Sequence, residues 1–152
     1  MTRLLLLTVA LCACGDPRPV ASGNPDAQDP TCPSGIQPTF SSINQKVFTQ
    51  LCTGCHQAAF AATAGGLDLT GDAYGALVGV RANNVAATSP PPGLLRVKPG
   101  DPDQSLLWLK LVTKSFADPR YGSGMPQDRP GALCQAATDT VRTWIEAGAP
   151  RD

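Results

Sequence analysis

One short stretch limits what this chain can fold into: Leu51-Cys52-Thr53-Gly54-Cys55-His56. Two thiols three positions apart lie on one side of a helical turn. From there they can form thioethers with the two vinyl groups on one edge of a porphyrin. The imidazole that follows is then held below the iron as a proximal ligand. Cys-x-x-Cys-His is the attachment signature of c-type haem, so the spacing predicts one covalently attached haem c and a chain built around it. Two rivals use the same thiols. A redox dithiol would need neither the adjacent imidazole nor the methionine loop described next. A zinc site needs four well-spaced protein ligands, which are hard to find here.

Axial ligands set the potential of a haem iron, and composition narrows the second one. The chain has one histidine, His56, and two methionines, Met1 and Met125. Met1 lies in a segment expected to be removed. Met125 stands in Gly122-Ser123-Gly124-Met125-Pro126. Glycines there let backbone approach a flat ligand, and Pro126 biases Met125 away from helix. The competing role for Met125 is an ordinary core methionine. As a ligand opposite His56 it would raise the reduction potential.

Several motifs follow in a fixed order. Cys52-Thr53-Gly54-Cys55-His56 precedes Gly65-Gly66-Leu67-Asp68-Leu69, then Lys98-Pro99-Gly100-Asp101-Pro102 with Ser105-Leu106-Leu107. Gly124-Met125-Pro126 and Trp144-Ile145-Glu146-Ala147-Gly148-Ala149 complete the set. From about Thr39 to the C-terminus the chain resembles the small monohaem cytochrome c domains of myxobacteria and planctomycetes. The resemblance implies an all-α, cytochrome c-like small helical domain wrapped around one haem, with long loops. It also implies His56 and Met125 as axial ligands, crossing of the first and last helices, and electron transfer outside the cytoplasm. It names no redox partner.

The first 13 residues read as an export signal, with Arg3 as a minimal basic region and Leu4 to Leu11 as the apolar run. That run is too short to span a bilayer. Leu11-Cys12-Ala13-Cys14 resembles a lipobox with cleavage before Cys14. Acylated Cys14 would anchor the protein, since stable anchoring takes more than one chain. The competing reading is a plain signal peptide that leaves Cys14 a free thiol. Residues 14–38 carry prolines and few apolar positions, and read as a flexible tether reaching on the order of 25–30 Å. Residues 39–152 are the haem domain.

The six cysteines point to an oxidising compartment. Once Cys12 is removed with the signal, Cys14 is acylated, and Cys52 and Cys55 are committed to haem, Cys32 and Cys134 remain. They suggest one disulfide; two separate thiols, or pairing with another chain, are the alternatives.

Helix signals are legible. Ser41 or Ser42 caps a first helix whose Ile43, Val47 and Leu51 share a face, with Phe48 beside them. Leu67 and Leu69 alternate around Asp68 and face one way, onto porphyrin. Asp72 caps a short helix with Tyr74, Leu77 and Val78. Asp101 and Pro102 open a helix that is apolar on most faces from Leu106 to Val112. Residues 116–131 form the long loop with Met125. Thr138 or Asp139 starts the last helix, with Val141, Trp144, Ile145 and Gly148 inward. Trp108 and Trp144 are core. Asp68 and Asp101 serve a turn or cap.

Zero formal net charge and 16% charged residues give no sign of a nucleic-acid binder, which would show a clustered basic face. No nucleophile–base motif is present, and the sole imidazole is committed to iron, so the chain does not read as an enzyme. Arg81, Arg96, Lys98, Arg120 and Tyr121 are candidates to meet haem propionates, and none is singled out. The sequence reading is therefore a membrane-anchored, periplasm-facing lipoprotein of the cell envelope. It carries one electron at a time to and from redox partner proteins. The alternatives are a haem-bearing accessory subunit of a periplasmic oxidoreductase, or a small haem peroxidase or gas sensor in which Met125 dissociates.

Overall fold

Thr39 fixes where ordered helix begins. Its backbone is extended and its side-chain oxygen accepts from the Ser42 amide, so it is the cap of α1 (Phe40–Ile43). The expected caps, Ser41 and Ser42, instead lie inside the first turn. A computed structural model describes residues 32–83 and 94–152. The export signal (1–13), Cys14, most of the tether and the Pro-rich run 89–93 lie outside these residues.

The described residues are helical, with isolated β-bridges and no strand among them. α1 passes without a break into a π-helical segment, Asn44–Cys52. It is followed by α2 (Ala73–Leu77), α3 (Leu106–Val112) and α4 (Gln135–Glu146), with single 3-10 turns between them. An all-α architecture follows.

One expectation for this segment changes. Its backbone hydrogen bonds close five residues on, as in that from the Thr53 amide to the Phe48 carbonyl at 3.0 Å. Ile43, Val47 and Phe48 are buried, while Leu51 stays 39% exposed. The same winding draws Cys52 against the core, where its thiol donates to the Val47 carbonyl at 3.7 Å.

The first and last helices share one core. Ile43, Val47 and Phe48 join Ala137, Val141, Trp144 and Ile145 in a single buried cluster. The Phe40 and Trp144 rings lie 5.8 Å apart, and Trp144 Nε1 donates to the Pro150 carbonyl at 2.9 Å. The Ser41 amide donates to the Asp152 carboxylate at 3.1 Å, tying the two ends together.

α4 begins earlier than the sequence suggested. Cys134 sits at the cap position, and its carbonyl accepts from both Ala137 and Thr138 amides, so Gln135 is the first helical residue. Gly148 is exposed rather than inward. Its φ of 94° ends the helix, and Ala149 is buried in its place.

The helix expected from Pro102 through Val112 is divided. Asp101 caps only a 3-10 turn, Pro102–Gln104. The buried Ser105 side chain then donates to the Asp101 carbonyl at 2.8 Å and accepts from the Lys98 amide at 2.8 Å. These bonds hold an extended residue before α3. Asp72 caps α2 through the Gly75 amide, and Asp68 accepts from both the amide and hydroxyl of Thr70 in a local turn. No helix among the described residues is long and apolar enough to cross a membrane.

Candidate haem site

The π-helical segment ends at Cys52, whose carbonyl accepts from the Cys55 amide at 3.1 Å and the His56 amide at 2.8 Å. That tight turn folds Cys55 and His56 back over Cys52. The His56 carbonyl in turn accepts from the Leu69 amide at 2.9 Å, so the chain between them leaves and returns to one place. Its return needs Gly65: φ is +68°, and a Cβ there would lie 2.8 Å from the Asn83 carbonyl oxygen.

Between this loop, α3 and residues 122–133 lies a cavity of about 950 Å³, at the upper end of the ~300–1,000 Å³ usual for ligand and cofactor pockets. Cys52, Cys55, His56 and Met125 all line it. Val47, Phe48, Leu67, Leu69, Leu77, Leu106, Leu107, Leu111 and Leu133 make most of the remaining wall apolar. Leu67 and Leu69 thus face the same space, as their alternation suggests. Leu51 also borders the cavity instead of the helix–helix contact.

The thiols differ. Cys55 is exposed and Cys52 partly buried; neither is in a disulfide. Burial, reinforced by the neighbouring Cys55, pushes the Cys52 thiol up to about 11. A thiol held protonated is a weak nucleophile, which counts against a redox dithiol. Among the described residues no three His, Cys, Asp or Glu side chains cluster to hold a metal ion.

His56 Nδ1 is buried and makes no hydrogen bond. Burial pushes the ring below its ordinary value; the Leu67 backbone opposes the shift, and the charges of Lys110 and Arg96 add to it. Burial thus favours the neutral imidazole, the form in which it binds metal.

Met125 is positioned by the end of α3. Its amide donates to the Lys110 carbonyl at 2.7 Å, one of the carbonyls the helix terminus leaves unpaired. Lys110 Nζ donates to the Ser123 carbonyl at 2.8 Å. Gly124 runs so close to α3 that a Cβ there would overlap the Thr113 carbonyl oxygen. The peptide between Met125 and Pro126 is cis.

Of the polar residues considered for propionates, only Arg96 lines the cavity. Its guanidinium donates to the carbonyls of Ala76 at 2.8 Å and Gly65 at 2.9 Å. Lys98 pairs with Asp101, Arg120 with Asp118, and Tyr121 stacks on Phe116 at 5.0 Å; Arg81 is exposed. Lys110, also on the cavity wall, was hidden from sequence reasoning inside an apolar run. Its single charge among leucines was the available signal.

Cys32 and Cys134 form a disulfide with Cα atoms 5.3 Å apart. It joins the segment before α1 to the start of α4, next to Leu133 on the cavity wall. Cys14 lies outside the described residues.

The residues present fit a porphyrin. The cavity lining offers an imidazole and a thioether as iron donors, two unbridged thiols for attachment, and an apolar surround of suitable volume. No protein-family model, no curated protein and no solved structure matches this chain.

Proposed function

We propose that the protein is a membrane-tethered monohaem cytochrome c, a one-electron carrier of the cell envelope whose cytochrome c-like domain wraps one covalently attached haem. One observation carries this reading. Cys52, Cys55 and His56, at the end of the π-helical segment, and Met125, in a loop far along the chain, line the same apolar cavity.

When bound, haem supplies a one-electron couple at its iron. The chain's own residues do the rest. Cys52 and Cys55 would hold the porphyrin by thioether bonds. His56 and Met125 would hold the iron, a pairing that raises the reduction potential. The Lys110 carbonyl and the close passage of Gly124 fix where Met125 stands. Phe48, Leu77, Leu106 and Leu111 exclude water, which strengthens electrostatic interactions within the cavity. His56 and Met125, if both hold the iron, would leave no place on it for oxygen or peroxide, and this favours a carrier over an enzyme. The tether and the acyl chains proposed for Cys14 would keep the domain at a membrane on its periplasmic side, within reach of partner proteins.

The test is the optical spectrum of protein made alongside a cytochrome maturation apparatus. A stable low-spin spectrum with the near-infrared methionine–iron charge-transfer band supports the carrier. A high-spin spectrum, or ready binding of carbon monoxide to the reduced form, contradicts it in favour of a peroxidase or gas sensor.

A further inference from the structure

Positive charge is unevenly matched in this molecule. Lys98, Arg120, Arg129, Arg142 and Arg151 each pair with a carboxylate, and each keeps at least 43% of its side chain exposed. Arg96 and Lys110 are partly buried on the cavity wall, and no carboxylate among the described residues pairs with either. The wall's own acid, Asp128, is turned to Arg129 at 3.4 Å. Withdrawing a charge from water without an opposite partner is costly, so two partly buried ones beside one apolar cavity call for an explanation.

Both cations are oriented but not neutralised. Arg96 gives hydrogen bonds to the Ala76 and Gly65 carbonyls, which leaves part of its five-donor fork free. Lys110 gives one to the Ser123 carbonyl and keeps further N–H groups. Carbonyls aim a cation without cancelling its charge. Both cations line the same cavity as His56 and Met125. A ligand matched to this wall has a broad apolar body and two carboxylates.

We propose that Arg96 and Lys110 together receive the two propionate carboxylates of the bound porphyrin and thereby fix its orientation in the cavity. This rests on the haem reading above. It makes the pair positioning residues, with a second effect. Positive charge close to the iron disfavours the oxidised, more positive state, so the pair raises the reduction potential.

The experiment uses the haem-loaded protein and the variants Arg96→Gln, Lys110→Gln and, as a surface control, Lys98→Gln. Resonance Raman spectra report the propionate bending mode, and a redox titration reports the midpoint potential. The expected result is a shifted bending mode and a lowered potential in Arg96→Gln and in Lys110→Gln, with Lys98→Gln unchanged. Arg96 also bridges Gly65 and Ala76; should Arg96→Gln fail to accumulate, Arg96→Lys replaces it, with the mode shifted and the potential largely kept. Haem attached normally, with mode and potential unchanged in the Lys110 and Arg96 variants, overturns this inference and leaves the carrier reading intact. Wild-type protein without haem overturns both.

Discussion

Met125 and Lys110 are linked through both backbone and side chain. The Met125 amide donates to the Lys110 carbonyl at 2.7 Å, and Lys110 Nζ reaches the carbonyl of Ser123, two residues before Met125, at 2.8 Å. A carbonyl at a helix terminus has no partner within the helix, so α3 offers a ready anchor. A loop clamped this way presents its methionine at a defined place instead of sampling many, which limits the entropy lost on ligation.

Gly124→Ala should break that arrangement, since the added methyl would overlap the Thr113 carbonyl oxygen. The loop must move and take Met125 with it. The expected outcome in haem-loaded protein is a weakened or absent methionine–iron charge-transfer band with haem still attached. A wild-type band in the variant would show that the loop tolerates the displacement.

The thiols of Cys52 and Cys55 should react unequally in protein produced without haem. Cys55 is exposed, whereas Cys52 is partly buried and its thiol is pushed up to about 11. Only the thiolate attacks an alkylating agent. Timed alkylation at neutral pH followed by peptide mass mapping should therefore label Cys55 well before Cys52. Equal rates would mean that Cys52 is not shielded against the core. In haem-loaded protein neither should react.

Acid should destabilise the haem-free protein in two stages. Burial lowers the His56 ring from 6.5, so between its folded value and 6.5 the unfolded chain binds more protons. Stability then rises with pH across that window: the contribution is complete above 6.5 and is lost as pH falls to the folded value. Asp68, Asp101 and Asp118 are each held below 3.8, chiefly by side-chain hydrogen bonds from Thr70, Lys98 and Arg120. Their contribution is present above 3.8 and lost below it. Urea midpoints at pH 7 and pH 5.5 check the first stage. A lower midpoint at pH 5.5 that His56→Gln removes is expected; equal midpoints in the unaltered protein would refute it.

The Cys32–Cys134 bridge closes a loop with a sequence separation of 102. Chain-entropy reasoning gives about 4–5 kcal/mol for such a loop, and haem, by constraining the same residues, should reduce this in the loaded protein. The Cys32→Ala, Cys134→Ser double variant should thus lose more stability without haem than with it, measured by urea unfolding. An equal loss in both forms would show that bridge and haem act independently.

Much of this site was legible because its chemistry sits in fixed spacings. Cys52, Cys55 and His56 are a contiguous pattern, and Met125 is singled out by the scarcity of histidine and methionine. Leu67 and Leu69 announce their shared face by alternation, and Val141, Trp144 and Ile145 announce theirs by helical spacing. The π winding of Asn44–Cys52 was not legible, because it depends on which carbonyl each amide selects, and side-chain patterns do not encode that choice. Leu51 lines the cavity and not the helix–helix contact, which its spacing from Val47 does not reveal. The start of α4 was missed because Cys134 caps through backbone geometry alone, with no side-chain hydrogen bond. Lys110 was missed because its role depends on a carbonyl brought near by the fold.

The mass of the purified protein under denaturing conditions tests the central claim most directly. Made alongside a working cytochrome maturation apparatus, the chain should carry the added mass of one porphyrin iron complex. That mass should survive boiling, and the Cys52→Ala, Cys55→Ala double variant should lack it. A wild-type polypeptide of unmodified mass across residues 39–152, colourless and identical in this respect to the double variant, would contradict the account.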